Sequence, residues 1–197
     1  MEFADTVRKR RIVRHFRPDP IDPAAVDRML ELARRAPSAG YTQGQAFIVI
    51  TDPELRRQVA RCCDPGGQHA AHFGYDWVAE APVQIIPCAD EAAYHARYQE
   101  PDKLQPDGSE VVWPVPFWFI DIGAAIMVLL LAVVDEGLAA GYAGIPDTPG
   151  LCDLLGIPEG VYPVGVIPVG HPAPDVPSPS LKRGRKPLAT VVHRERW

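Results

Sequence analysis

Arg10, Arg11 and Arg14 stand together in a chain that carries more acid than base. Basic side chains at n, n+1 and n+4 place two guanidinium groups on one face of a helical turn. Such forks bind phosphate bidentately and can hold an electron-rich ring oxygen. A second cationic cluster, Lys182, Arg183, Arg185 and Lys186, lies near the other end of the chain. Each cluster alone reads equally as a solvated basic face. Two of them at opposite ends of an acidic chain favour one shared phosphate anchor. Between them, residues 36–43 form a small-residue loop holding Pro37, Ser38, Ala39 and Gln43. Its backbone can approach a flat ligand closely, with Ser38 and Gln43 as hydrogen-bonding handles. Alone it is a helix-to-strand turn.

Other reactive side chains have plainer readings. His69, His72 and His95 lack a carboxylate or cysteine at metal-ligand spacing, so a metal site is not expected. Cys62 and Cys63 have only Arg61 nearby to lower a thiol pKa and read as inert thiols. Trp113, Phe117 and Trp118 can roof a planar substrate or fill an interface core. Asp121, one turn from Trp118, is a candidate pocket residue, whereas Asp135 reads as a helix-end charge.

The elements that must position these groups follow from punctuation and periodicity. Helices are expected over 2–11, 23–36, 53–63, 90–98, 119–136 and 151–155. Asp22-Pro23 and Asp52-Pro53 cap two of them. Gly137 ends the apolar helix. Strands are expected over 47–50, 82–88 and 162–169, with a strand or strand end at 141–145. Residues 64–74 read as a Gly/His-rich loop and 99–112 as a lid-like insertion. The Pro/Arg-rich tail, 171–197, reads as extended, with Val191 and Val192 as an edge-strand candidate. The order implies one α+β domain over 1–197, with a mixed, mainly antiparallel sheet flanked by helices. Neither GxGxxG after a first strand nor GxxxxGK[ST] is present.

The whole-chain balance narrows the function classes. In 197 residues, Lys+Arg 20 against Asp+Glu 25 gives −5, which argues against a nucleic-acid binder. Four cysteines make no disulfide framework, and a reducing cytoplasm is expected. The longest apolar run, residues 122–134, is short for a bilayer span and reads as a buried core helix.

Arg10-Arg11-x-x-Arg14-x-Phe16, then residues 18–21, then Ala36-Pro37-Ser38 with Gln43 resemble the FMN-dependent nitroreductase family. Gly137-Leu138, Leu155-Gly156-Ile157-Pro158, Val169-Gly170-His171-Pro172, Arg185-Lys186-Pro187-Leu188 and Trp197 continue the resemblance in order over nearly the whole chain. It implies a nitroreductase-like fold and a homodimer with two FMN sites at the subunit interface. Arg10, Arg11 and Arg14 would hold the phosphate and the ring's N1/O2 edge. Pro37, Ser38 and Ala39 would line the flavin, with Gln43 at its pyrimidine edge. Tyr142, Ala143 and Gly144 would come near the ring, and Arg183 and Arg185 would grip the phosphate. No general acid is evident, and none is required, because the ring does the hydride chemistry.

The activity so implied takes a hydride from NAD(P)H and reduces a planar acceptor, a nitroaromatic or quinone, in the same pocket by ping-pong exchange. Ile12, Tyr41, Gly44 and Gln45 stand where the family usually has Ser, Asn, Pro and Trp. A flavin-fragmenting branch carries Asp at the position of Ile12, which argues against that activity here. A reductive dehalogenase branch holds substrate with acidic, aromatic and basic lid groups, for which Tyr98, Glu100 and Lys103 are candidates. The alternative outside catalysis is a flavin-sequestering protein without turnover.

Overall fold

The computed structural model describes residues 2–176 and 178–197. Helix α1 (Phe3–Lys9) leads through an extended arginine segment into β1 (Phe16–Arg17). Then come α2 (Pro23–Ala33), a 3-10 turn (Ala39–Tyr41), β2 (Gln45–Ile50) and α3 (Pro53–Cys63). Short helices α4 (Gln68–Phe73) and α5 (Trp77–Glu80) precede β3 (Val83–Asp90) and α6 (Glu91–Tyr98). The remainder holds α7 (Phe117–Asp135), β4 (Ala139–Ala140), α8 (Thr148–Leu155), β5 (Val161–Pro163) and β6 (Ile167–Pro172). A 3-10 turn (Pro179–Arg183) and α9 (Leu188–Val191) complete the tail.

The central strand β3 is buried at seven of its eight residues, as its unbroken apolar run requires. It pairs antiparallel with β2 on one side and with β5 and β6 on the other. β6 in turn pairs with β1 and β4. Among the described residues the parallel pairing is one bridge, Ile12 to Ala140. Ile85 faces a core of α2 and α7, whereas Ile86 faces a core that includes Val59, Trp77 and Leu151 from α3, α5 and α8. This alternation makes the fold α+β with helices on both sheet faces.

Aspartate caps set the helix starts. Asp22 accepts from the Ala24 N–H at 3.0 Å, Asp52 from Leu55 at 2.8 Å and Asp147 from Gly150 at 3.0 Å. The apolar helix α7 has 19 residues, long and apolar enough to cross a membrane by length and composition, which the 13-residue run understates. Here it is a core helix: Ile122, Ala125, Leu129 and Val133 pack against Val26, Met29 and Ala33 of α2.

Several sequence expectations need correction. The 64–74 loop contains α4, because the Asp64 carboxylate accepts from the N–H groups of Gln68, His69 and Ala70 at 3.0, 2.8 and 3.1 Å. The strand expected over 162–169 is two strands. Gly165 breaks it where the Tyr142 ring lies only 2.6 Å from a Cβ at that position. The strand expected at 141–145 is β4, earlier in sequence, plus one bridge from Ala143 to Val166. The tail forms no edge strand at Val191; it coils into α9. Helix α1 stops at Lys9.

Candidate functional site

The arginine segment 10–14 is extended rather than helical, so its spacing acts through strand alternation. Val13 anchors it: the side chain is 1 % exposed in the core, and its N–H donates to the Ala140 carbonyl at 2.9 Å. Arg10, Arg11, Ile12 and Arg14 then line a cavity of about 370 Å³, closed by Asp175, Ser178, Ser180, Leu181 and Arg185 of the tail. The two ends of the chain therefore meet, as the shared-anchor reading expects. None of these four guanidinium groups forms an ion pair with a carboxylate among the described residues. Four cationic side chains thus share one cavity with a single carboxylate, Asp175, an excess of positive charge that favours an anion. Arg183, at the end of the 3-10 turn, is exposed and does not line this cavity.

The tail is held in place by strand pairing that runs past β6. Ala173 N–H donates to the His15 carbonyl at 3.0 Å, and the His15 Nδ1 lies 2.7 Å from the Pro174 carbonyl. The Asp175 carboxylate accepts from the Arg14 N–H at 2.9 Å. Asp175 was invisible to sequence reasoning, because nothing near it in the chain suggests a contact 161 residues away.

Arg14 belongs to a second cavity too, of about 170 Å³, lined by Trp77, Tyr142, Ala143 and Gly144 with Asp64, His69, Phe73 and Asp76. Its guanidinium carbon lies 5.7 Å from the centre of the Trp77 ring. Tyr142 is committed elsewhere: its hydroxyl donates to the Val164 carbonyl at 2.6 Å. The backbone of 142–144 can come this close because residue 141 is glycine; a Cβ there would lie 2.6 Å from the Trp77 ring and 2.9 Å from the Val13 carbonyl oxygen. Cys63 also lines the cavity, but burial pushes its thiol up to about 12, which makes it inert.

Pro37, Ser38, Ala39 and Gln43 line neither cavity. Their loop packs instead against α6 and α7. Ser38 Oγ accepts from the Gln43 N–H at 2.8 Å, and Thr42 Oγ1 donates to the Ala39 carbonyl at 2.6 Å. Gly40, Tyr41 and Gln43 all have left-handed backbone, with φ of 61°, 56° and 57°. Asp121 does not enter either cavity; it holds this loop. Across α6, the insertion is pinned down: Arg97 makes two 2.7 Å bonds to Asp102, and Glu110 accepts from Trp113 at 2.8 Å and bonds His95 at 2.7 Å.

The nitroreductase family model matches residues 7–171. The chain belongs to the nitroreductase family. An iodotyrosine deiodinase of Nematostella vectensis is 28 % identical, over 97 % of this chain and 74 % of its own length. An NAD(P)H FMN reductase of Bacillus subtilis is 25 % identical, over 100 % of this chain and 74 % of its own. The crystal structure of an iodotyrosine deiodinase bound to FMN and 3-iodo-L-tyrosine matches the fold with a TM-score of 0.74. It is 19 % identical, over 99 % of this chain and 100 % of that one. Members of the nitroreductase family bind FMN and carry out flavin-dependent oxidoreduction. The lining of the paired cavities suits that cofactor: arginines that can take a phosphate and a pocket of aromatic side chains and glycine-flanked backbone join at Arg14.

Proposed function

We propose that this nitroreductase is an FMN-dependent oxidoreductase that takes reducing equivalents from NAD(P)H and delivers them to a planar acceptor, a nitroaromatic or quinone. The observation that carries this reading is the four-arginine cavity meeting the Tyr142–Gly144 pocket at Arg14. Arg10, Arg11 and Arg185 would hold the phosphate. Arg14 would present a cation to the N1/O2 edge of the ring, which favours the reduced flavin's negative charge. Ala143 and Gly144 would offer backbone at the ring's other edge. Bound FMN supplies the hydride chemistry; the chain supplies charge, orientation and exclusion of water.

The loop holding Pro37, Ser38, Ala39 and Gln43 lies outside both cavities of its own chain. In this reading the same loop of a second copy completes each site, so the working form is a homodimer. The test is an anaerobic absorbance spectrum before and after NADH or NADPH. A bound flavin that bleaches with one of them supports the reading and names the donor. Bound flavin that neither donor bleaches supports flavin sequestration without turnover. A colourless protein that cannot be reconstituted with FMN defeats both.

The similarity to iodotyrosine deiodinase raises reductive dehalogenation as a second reading. The groups suggested for it are engaged by the chain itself: Glu100 pairs with Arg97 at 2.9 Å, and the Lys103 ammonium sits 5.8 Å from the Tyr98 ring centre. Halide release from an iodinated phenol under reducing conditions would favour that reading over nitroaromatic or quinone reduction.

A further inference from the structure

Asp121 is a carboxylate in the apolar helix α7, and it is 8 % exposed. Both hydrogen-bond partners found for it are neutral: its Oδ2 accepts from the Ala39 N–H at 2.8 Å and from the Tyr94 hydroxyl at 2.7 Å. A buried carboxylate without a cation is unfavourable, and an apolar side chain there would join the surrounding core at no such cost. The proposed chemistry does not use it either, since it enters neither cavity.

What it does hold is the loop. Ala39 opens the 3-10 turn, and three of the next four residues have left-handed backbone, two of them not glycine. Such backbone persists only where its surroundings over-determine it. Asp121 fixes the start of the turn from the α7 side. From the α6 side, Arg97 Nε donates to the Gly40 carbonyl at 3.0 Å, and the Tyr98 ring fills the space beside Gly40. Tyr94, also on α6, bonds Asp121 and packs against Gly44, where a Cβ would lie 2.5 Å from its ring. The far end of α6 carries the Arg97–Asp102 and His95–Glu110 ties to the insertion.

We infer that Asp121 is a positioning residue: through Ala39 and Tyr94 it fixes the 37–43 loop against the flavin ring and ties that loop to α6. This rests on the flavin reading above. The carboxylate reaches across 82 residues to one backbone N–H, and through the phenol it locks the helix that bears the insertion. Its effect falls on the ring side of the flavin, not on the phosphate.

The test uses two flavin probes on the full chain. FMN carries a phosphate, and lumiflavin is the ring alone. Asp121→Asn removes the charge and one acceptor, and Tyr94→Phe removes only the phenol hydroxyl. Both variants are expected to keep the parent's far-ultraviolet spectrum. Asp121→Asn is expected to weaken FMN and lumiflavin alike, on the order of tenfold, and to alter the visible circular dichroism of the bound flavin. Tyr94→Phe shifts both in the same direction by less. Arg185→Ala, by contrast, weakens FMN and leaves lumiflavin unchanged. Variants that lower the melting temperature but bind both flavins with the parent's affinity and spectrum overturn the inference and leave the flavin reading standing. Failure of the parent to bind either flavin overturns both.

Discussion

At the scale of single residues, the proposed flavin site turns on Arg14. Its N–H is held by Asp175, its guanidinium lies over Trp77, and it lines both cavities. Arg14→Ala is therefore expected to weaken FMN binding about ten- to a hundredfold, the range of a lost charge-assisted hydrogen bond. Arg14→Lys keeps the charge but loses the planar, forked guanidinium and recovers only part of that affinity. Titration of flavin fluorescence measures both. Cys63 shows the opposite case, a residue at the cavity wall that does no chemistry. Its thiol is raised from an ordinary 9.0 to about 12 by burial first, then by Cys62, Asp76 and Asp64. A raised folded-state value means that stability is fully present below pH 9 and is lost as pH rises towards 12. From pH 8 to 10 the parent is expected to lose about 1.4 kcal/mol more stability than Cys63→Ala, because only its unfolded state ionises there. Urea denaturation of both proteins at the two pH values reads this directly; equal losses would refute it.

At the scale of elements, the limits of sequence reading have physical causes. Helices α2 and α3 were legible because Asp-Pro starts each of them and apolar residues recur on one face. Strands β2 and β3 were legible from their apolar runs. Helix α4 was not, since its cap is Asp64, four residues ahead across two glycines, rather than an adjacent residue. β1 is two residues long and exists only by pairing with β6, 154 or more positions away. The arginine cluster was legible by type and misread by geometry: no local signal shows that α1 ends at Lys9 or that Ile12 bridges Ala140. Likewise Asp121 reads from sequence as a pocket candidate one turn from Trp118, whereas its partners Ala39 and Tyr94, 82 and 27 residues away, leave no local signal. Gly44 gives a test at this scale. A Cβ there would lie 2.5 Å from the Tyr94 ring and 3.1 Å from the Asp90 carbonyl oxygen. Gly44→Ala must displace the phenol that bonds Asp121, so it is expected to cost about 1–3 kcal/mol of stability. Thermal melting checks the cost. Weaker lumiflavin binding by the same variant would show that the displacement reaches the loop.

At the scale of the whole molecule, one chain leaves apolar surface uncovered. Phe119, Ile120 and Met127 are exposed on α7, and Leu181, Leu188 and Val191 on the tail. Under the proposed reading, in which a second copy completes the site, these side chains would be covered by that copy. That proposal can be tested without a structure of the dimer. In one variant the arginine half is broken by Arg14→Ala. In another the loop half is broken by joint replacement of Ser38 and Gln43 with Ala. Each homodimer then lacks a functional half at both sites. If each site combines the arginines of one chain with the loop of the other, a mixed dimer has one doubly broken site and one intact site. Random exchange makes half the dimers mixed, so about a quarter of the sites should recover FMN binding and NAD(P)H turnover after the two variants are denatured together and refolded. If both halves come from one chain, every site keeps a lesion whatever the mixing, and no activity returns. Recovery therefore depends on which chain supplies the loop, and a zero yield from well-folded mixed dimers would place the whole flavin site within a single subunit.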